Sequence, residues 1–310
     1  MTAPQPFNRR FAFCAFLFAM MIGFTAPAGA STKTCETALT RVMTYNIRLD
    51  TPIDGLDSWA HRRAWVSAQI DWLRPGIFGL QEVVIHQKRE LASDLPGYQV
   101  IGKGRDVDGT GESSPIGFRS DLFALHDSGV FWLSATPDIP SKGWDAAYPR
   151  IVTWARLTAN GGLTHILVIN THWDHIGIEA RNNSGLQLQR WISDYAKADD
   201  HVILLGDFNA EIGSEAMQNL LAPAEVSVRL VDSRAASRTK SFGPVGTFND
   251  FKLKPEKLRS IDHILASNNI SVRRHAVIAQ NIDGRLPSDH YPVLADLAFK
   301  PVCKNERKAE

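Results

Sequence analysis

A single α/β domain built on mixed sheets is the fold this sequence predicts, and three observations carry the prediction. Hairpin signals alternate with strand–helix units along the chain, which argues against a purely parallel doubly wound sheet. No internal repeat, low-complexity segment or Pro/Ser linker divides the region after residue 30. The composition is that of a globular protein: 310 residues, 44% hydrophobic and 22% charged, long enough for a large core.

Taken in order, the first 30 residues stand apart. They hold no acid and two bases, Arg9 and Arg10, then an apolar stretch over 11–24, then Ala28-Gly29-Ala30. That order predicts a secretory signal peptide cleaved after Ala30. The alternative is an uncleaved anchor, for which the apolar run is short. The expected organisation is a signal peptide over 1–30, a lead over 31–40, one domain over 41–300 and a tail over 301–310. After cleavage no stable membrane insertion is expected, and the compartment is periplasmic or extracellular. Export favours a disulfide between the two remaining cysteines, Cys35 and Cys303, with two free thiols as the alternative.

The segment 41–47 is a short apolar run rich in strand formers, followed by a turn-prone stretch over 50–57. Ser58 is placed to cap a helix over 59–73, which Arg74-Pro75-Gly76 stops. A buried strand over 77–80 runs into Gln81-Glu82 and a second helix ending near Pro96. Short strands are expected at 98–101, 115–119, 121–125 and 130–133, with the Gly-rich tract 102–117 as an exposed loop. Asn160-Gly161-Gly162 joins strands 151–158 and 163–170 into a hairpin. A polar connection then leads to a helix over 179–197, a buried strand over 202–205 and a short helix near 214–222. An irregular tract over 234–258 and strands at 260–265, 271–278 and 292–299 complete the chain.

The polar residues that matter fall where these strands end. Asn46, Glu82, His172, Asp207 with Asn209, and Asp289-His290 each adjoin an apolar run, and Asp262 lies inside the run 261–265. Singly, each has an ordinary reading as a turn former, a helix start or an edge charge. Together they supply hard oxygen ligands, two histidines and an amide, the equipment for Mg²⁺-assisted attack of water on a phosphate ester. No Cys/His cluster points to structural zinc.

Charge narrows the partners. The chain has 34 Lys and Arg against 33 Asp and Glu, and cleavage of the first 30 residues would leave 32 against 33. A near-neutral protein is not an indiscriminate polyanion binder, and long duplex DNA has no visible footprint.

Six motifs stand in a telling order. Met43-Thr44-Tyr45-Asn46-Ile47-Arg48, Leu80-Gln81-Glu82-Val83, Thr171-His172-Trp173-Asp174-His175, Gly206-Asp207-Phe208-Asn209, Ser260-Ile261-Asp262-His263 and Ser288-Asp289-His290 span 41–299. This series resembles the endonuclease/exonuclease/phosphatase superfamily. Asp54-Gly55, Ser58-Trp59, Arg62 and the stretch from Phe131-Trp132-Leu133-Ser134 to Trp144-Asp145 resemble a bacterial, often exported branch of it. The resemblance implies a four-layered α/β sandwich, two packed mixed sheets flanked by helices.

It also implies roles. Glu82 matches the principal metal-binding carboxylate, with Asn46 and Asp289 assisting, and the cofactor is Mg²⁺, with Mn²⁺ as a substitute. Asp207 matches the acid that orients or deprotonates water, and Asn209 the amide that steadies phosphoryl charge. His290 matches the phosphate-contacting histidine, held cationic by Asp262, while His172 resembles a histidine that protonates the leaving oxygen. Arg48 and Arg150 are candidate phosphate clamps, and Trp173 and His175 candidate substrate contacts, with surface pairs and core packing as the plainer readings. His175 and His263 each sit beside an Asp and are open to direct catalysis, with packing as the plainer reading.

Two departures are visible. Arg48 stands where abasic-site endonucleases place a second acid, and Gly117 stands where a larger residue is expected, altering the wall near Arg119. The implied substrate is a phosphate ester: nucleic acid, nucleotide, phospholipid headgroup as in a sphingomyelinase-like enzyme, or sugar phosphate. The rival from another class is a non-catalytic phosphate- or surface-binding module that keeps the fold.

Overall fold

In the computed structural model, residues 39–159, 162, 164–222 and 228–299 are described. The signal segment, Cys35, Cys303 and the tail lie outside them. Two six-stranded sheets form the body.

The first sheet contains β1 (Leu39–Asn46), β2 (Ile77–Gln81), β3 (Tyr98–Ile101) and β4 (Ile116–Arg119), with β11 (Ile270–Val277) and β12 (Val293–Phe299). Its order is β11-β12-β1-β2-β4-β3. The second contains β5 (Phe123–Trp132), β6 (Ile151–Ala159), β7 (His165–His172), β8 (His201–Asp207), β9 (Leu230–Asp232) and β10 (Asp262–Ser267). Its order is β5-β6-β7-β8-β10-β9. Each sheet has one parallel pair, β1 with β2 and β7 with β8, among antiparallel neighbours.

Helices α1 (Trp59–Leu73) and α2 (Ile85–Asp94) cover the first sheet, and α3 (Ile178–Tyr195) and α4 (Glu215–Leu221) the second. The period of two along each strand explains why the central strands read as continuous apolar runs. Val42, Ile77, Val168, Ile203 and Leu205 fill the space between the sheets. Their neighbours Met43 and Phe78 face α1 and α2, and Leu167, Val202 and Leu204 face α3 and α4. The result is the four-layered sandwich the motifs implied.

Several elements differ from the sequence reading. The segments expected as two strands at 121–125 and 130–133 are one edge strand, β5, paired along its length with β6 and irregular between Leu125 and Asp127. Its exposed Asp127 and Ser128 face solvent, so the polar interruption is not a break in the strand. Ser58 precedes α1 but its side chain caps nothing; Arg74, in the left-handed region at φ 45°, closes the other end with its N–H on the Ile70 carbonyl. The strand β9 lies just before the tract expected to be irregular, and a short helix, α5 (Ser233–Ala236), occupies its start. Among the described residues no helix is long and apolar enough to cross a membrane.

Candidate active site

Strand register brings the motif residues to one rim. In the parallel pairs, Asn46 is opposite Gln81, which precedes Glu82, and His172 is opposite Asp207. The antiparallel strand β10 puts Asp262 opposite Asp207. Asp289-His290 leads into β12, the other neighbour of β1, and Ser288 Oγ donates to the Asn46 carbonyl at 2.7 Å. Both sheets therefore present their strand ends to the same cleft.

Asn46 ties the two halves together. Its Nδ2 donates to Glu82 Oε1 at 2.9 Å and to Asp207 Oδ2 at 3.0 Å, and its Oδ1 accepts the Arg48 N–H at 3.0 Å. Glu82 Oε2 accepts the Leu49 N–H at 3.1 Å. His290 Nδ1 lies 2.9 Å from Asp262 Oδ2, and its Nε2 lies 3.7 Å from Asp207 Oδ2. Asn209 donates from its own N–H to Asp207 Oδ1 at 2.9 Å. Arg48, Glu82 and Asn209 have φ of 59°, 61° and 47°, left-handed values that cost a non-glycine residue about 1–3 kcal/mol. The hydrogen bonds just described hold them there.

The two histidines differ in charge. Burial alone would depress His290, but the negative charges of Asp262 and Asp207 and the Asp262 hydrogen bond push it up to about 10. His172 is held well below its ordinary value by burial, then by the charges of Arg150 and His290. Asn209 Nδ2 donates to the Trp173 carbonyl at 3.1 Å and faces His172 Nε2 at 3.1 Å, so that nitrogen is the acceptor of a neutral ring. In this state His172 has no Nε2 proton to give a leaving oxygen; the charged histidine is His290. Burial and the charge of Asp262 push Asp207 up to about 7. Asp289 is pushed up to about 6, by burial and, against the pull of His290, by Glu82.

The donor set suits a hard dication. Glu82 and Asp289 offer carboxylate oxygens to one space, where Arg48 Nη1 stands 3.8 Å from the first and 3.9 Å from the second. Burial and the charge of Glu82 push Asp289 up, and a cation beside the two carboxylates would oppose that push. Asp207, Asp262 and His290 also converge within 4.8 Å, but a cationic His290 offers no lone pair. Glu82 and Asp289 are therefore the carboxylates that could hold a cation.

The cleft encloses about 580 Å³, and residues from irregular segments complete it: Arg105, Glu112, Tyr148, Phe248, Phe251 and Arg259. The sequence reading missed all of these. Arg105 pairs with Glu112 at 2.6 Å and lies 4.9 Å from the centre of the Tyr148 ring.

A family comparison matches the endonuclease/exonuclease/phosphatase model over residues 43–290. The chain belongs to that family. The similar structures include a member from Bacteroides thetaiotaomicron, 34% identical, with TM-score 0.79, covering 86% of this chain and 99% of that one. The mannosyl-6-phosphatase Bt3783 of Bacteroides thetaiotaomicron VPI-5482 is also 34% identical, with TM-score 0.78, covering 84% of this chain and all (100%) of its own. Uncharacterized protein L388 of Acanthamoeba polyphaga mimivirus is 29% identical over 162 residues, 49% of this chain and 60% of the viral protein, less than two thirds of its length.

Within this endonuclease/exonuclease/phosphatase fold, some expected contacts sit elsewhere. Trp173 is fully buried, edge-on to Phe208 at 4.9 Å, so it packs under α3 and offers no face to a substrate. Its neighbour His172 takes the cleft side of the chain and Trp173 the opposite side. Arg150 lines the cleft but is engaged: Nε reaches Asp174 Oδ2 at 3.3 Å and Nη2 faces His175 Nδ1 at 3.0 Å. His175 also lines it, stacked on Tyr148. Arg48 is gripped by Asp54 through two bonds of 2.9 Å. Gly117 leaves no gap in the wall, because a Cβ there would lie 2.0 Å from the Phe78 ring. Arg119 pairs with exposed Asp121 and is not among the cleft residues. His263 is buried against the Ala210 carbonyl at 3.0 Å, as packing.

Proposed function

We propose that the protein is an exported, divalent-metal-dependent phosphoesterase that hydrolyses a small phosphate monoester, of which a sugar phosphate is the favoured example. The observation that carries this reading is the convergence of Asp207 with cationic His290 at 3.7 Å, beside the Glu82–Asp289 carboxylates. Asp207 aligns the attacking water and takes its proton; a carboxylate pushed up to about 7 is matched to base catalysis near neutral pH. The His290 cation stabilises charge growing on the phosphoryl oxygens, joined by the Asn209 amide when a phosphoryl oxygen replaces His172 Nε2 as the acceptor of one of its N–H groups. Glu82, Asn46 and Asp289 would hold Mg²⁺ or Mn²⁺, which supplies Lewis-acid polarisation of a phosphate oxygen when bound.

Three features support the substrate class. The cleft of about 580 Å³ suits a small molecule. The near-neutral charge offers no track for a long polyanion. A relative 34% identical over its whole length is a mannosyl-6-phosphatase. The order of bases, apolar run and small residues in 1–30 supports export.

A side-by-side assay with Mg²⁺ on mannose 6-phosphate, single-stranded DNA, RNA and sphingomyelin tests the reading. It predicts release of phosphate from the sugar ester and little turnover of the others. Preferred cleavage of a nucleic acid or lipid would overturn the substrate class, and no turnover of any would favour the binding-module alternative.

A further inference from the structure

Four arginines line the cleft: Arg48, Arg105, Arg150 and Arg259. Three are matched by acids, Arg48 by Asp54 at 2.9 Å, Arg105 by Glu112 at 2.6 Å and Arg150 by Asp174 at 3.3 Å. Arg259 forms no ion pair among the described residues.

Its position is nevertheless fixed. The Arg259 carbonyl accepts the Thr247 and Phe248 N–H groups at 2.8 and 3.1 Å. Phe248 bridges in turn to His290 and sets its ring edge-on to that imidazole at 5.0 Å. Arg259 therefore leaves the backbone one segment away from the catalytic histidine and is half-buried in the cleft wall with Phe251 and Ile261.

A half-buried cation that lines the cleft with no carboxylate beside it favours an anionic group as its partner. A guanidinium fork grips two oxygens of such a group at once.

We propose that Arg259 forms an anion subsite for a second oxyanion group of the substrate, a phosphate or carboxylate separate from the ester that is cleaved. The location of the cleaved ester rests on the phosphoesterase reading; the subsite itself is read by binding. Among small phosphate esters, the subsite would favour those that carry a further anionic substituent on the leaving group.

The test compares glucose 1,6-bisphosphate with glucose 6-phosphate. Calorimetry in EDTA measures the affinity of both for the wild type, Arg259→Gln and Arg259→Lys, after melting curves establish that each variant is folded. The wild type is expected to prefer the bisphosphate by roughly 10-fold or more, as charge-assisted hydrogen bonds allow. Arg259→Gln should remove most of that preference and Arg259→Lys keep part of it. Equal affinities in the wild type, or a loss in Arg259→Gln that is the same for both ligands, would overturn the proposal; the second result would place Arg259 on the cleaved phosphate. Hydrolysis of glucose 6-phosphate with Mg²⁺ is read separately. Its absence with an intact, Arg259-dependent bisphosphate preference would strike the phosphoesterase reading and leave the subsite standing.

Discussion

Gln81 Nε2 donates a 2.7 Å hydrogen bond to Asn170 Oδ1, and this bond joins the two sheets behind the cleft. Gln81 ends β2 and precedes Glu82; Asn170 lies two residues before His172 on β7. Asn170 Nδ2 also donates to the Leu80 and Pro115 carbonyls at 2.8 and 2.9 Å, and Gln81 Nε2 to Thr44 Oγ1 at 3.0 Å. Apolar packing between sheets is non-directional, whereas this buried polar set admits one alignment. The spacing of Glu82 from Asp207 and His172 depends on it.

Asn170→Leu is therefore expected to lower both stability and turnover. It removes the Gln81–Asn170 bond and the two Asn170 donations to the Leu80 and Pro115 carbonyls, while Gln81 keeps Thr44 and Pro115 keeps the Leu80 N–H, at a cost of about 1–3 kcal/mol. Urea unfolding with a parallel kcat measurement checks this. A variant that unfolds like the wild type would show that the sheets are aligned by apolar contacts alone.

Gly117 is fixed by the ring of Phe78. A Cβ at Gly117 would meet Phe78 Cζ at 2.0 Å, with no flexible chain end to yield. Gly117→Ala should cost about 1–3 kcal/mol, in the range for overpacked cores. Adding Phe78→Leu should recover part of the loss in the melting temperature. An unchanged melting temperature for the single variant would mean that the two strands separate easily there.

His290 makes stability depend on pH in a definite direction. Its folded pKa, raised to about 10, exceeds the ordinary value of 6.5, so the folded state binds more protons between those limits. The stability it contributes is fully present below about 6.5 and is lost as pH rises through about 10. In EDTA, the melting-temperature difference between wild type and His290→Gln should be largest near pH 6 and shrink towards pH 10. Nitrogen-15 spectra of the imidazoles should show His290 charged and His172 neutral at pH 8. A flat temperature difference, or a His290 that titrates near 6.5, contradicts this electrostatic account.

Much of the site was legible because its residues obey a simple rule. Asn46, Glu82, His172 and Asp207 each end or follow an apolar strand, and parallel or antiparallel register does the rest. The buried status of Trp173 follows from the same alternation that turns His172 towards the cleft. Arg105, Glu112, Tyr148 and Arg259 reach the cleft from irregular segments, where no period links sequence position to direction. The single strand β5 was obscured because an edge strand tolerates outward charges such as Asp127, which resemble a turn.

The central claim is that Glu82, Asp207 and His290 act on one phosphate with a dication held on the Glu82 side. Phosphate release from mannose 6-phosphate is followed after EDTA treatment, then with Mg²⁺ added back, for the wild type, Glu82→Gln and Asp207→Asn. The account predicts no release in EDTA, recovery with Mg²⁺ in the wild type alone, and a loss of at least about 100-fold in kcat for Asp207→Asn, the scale of a general base. Release that persists in EDTA, or full activity in either variant, would contradict it.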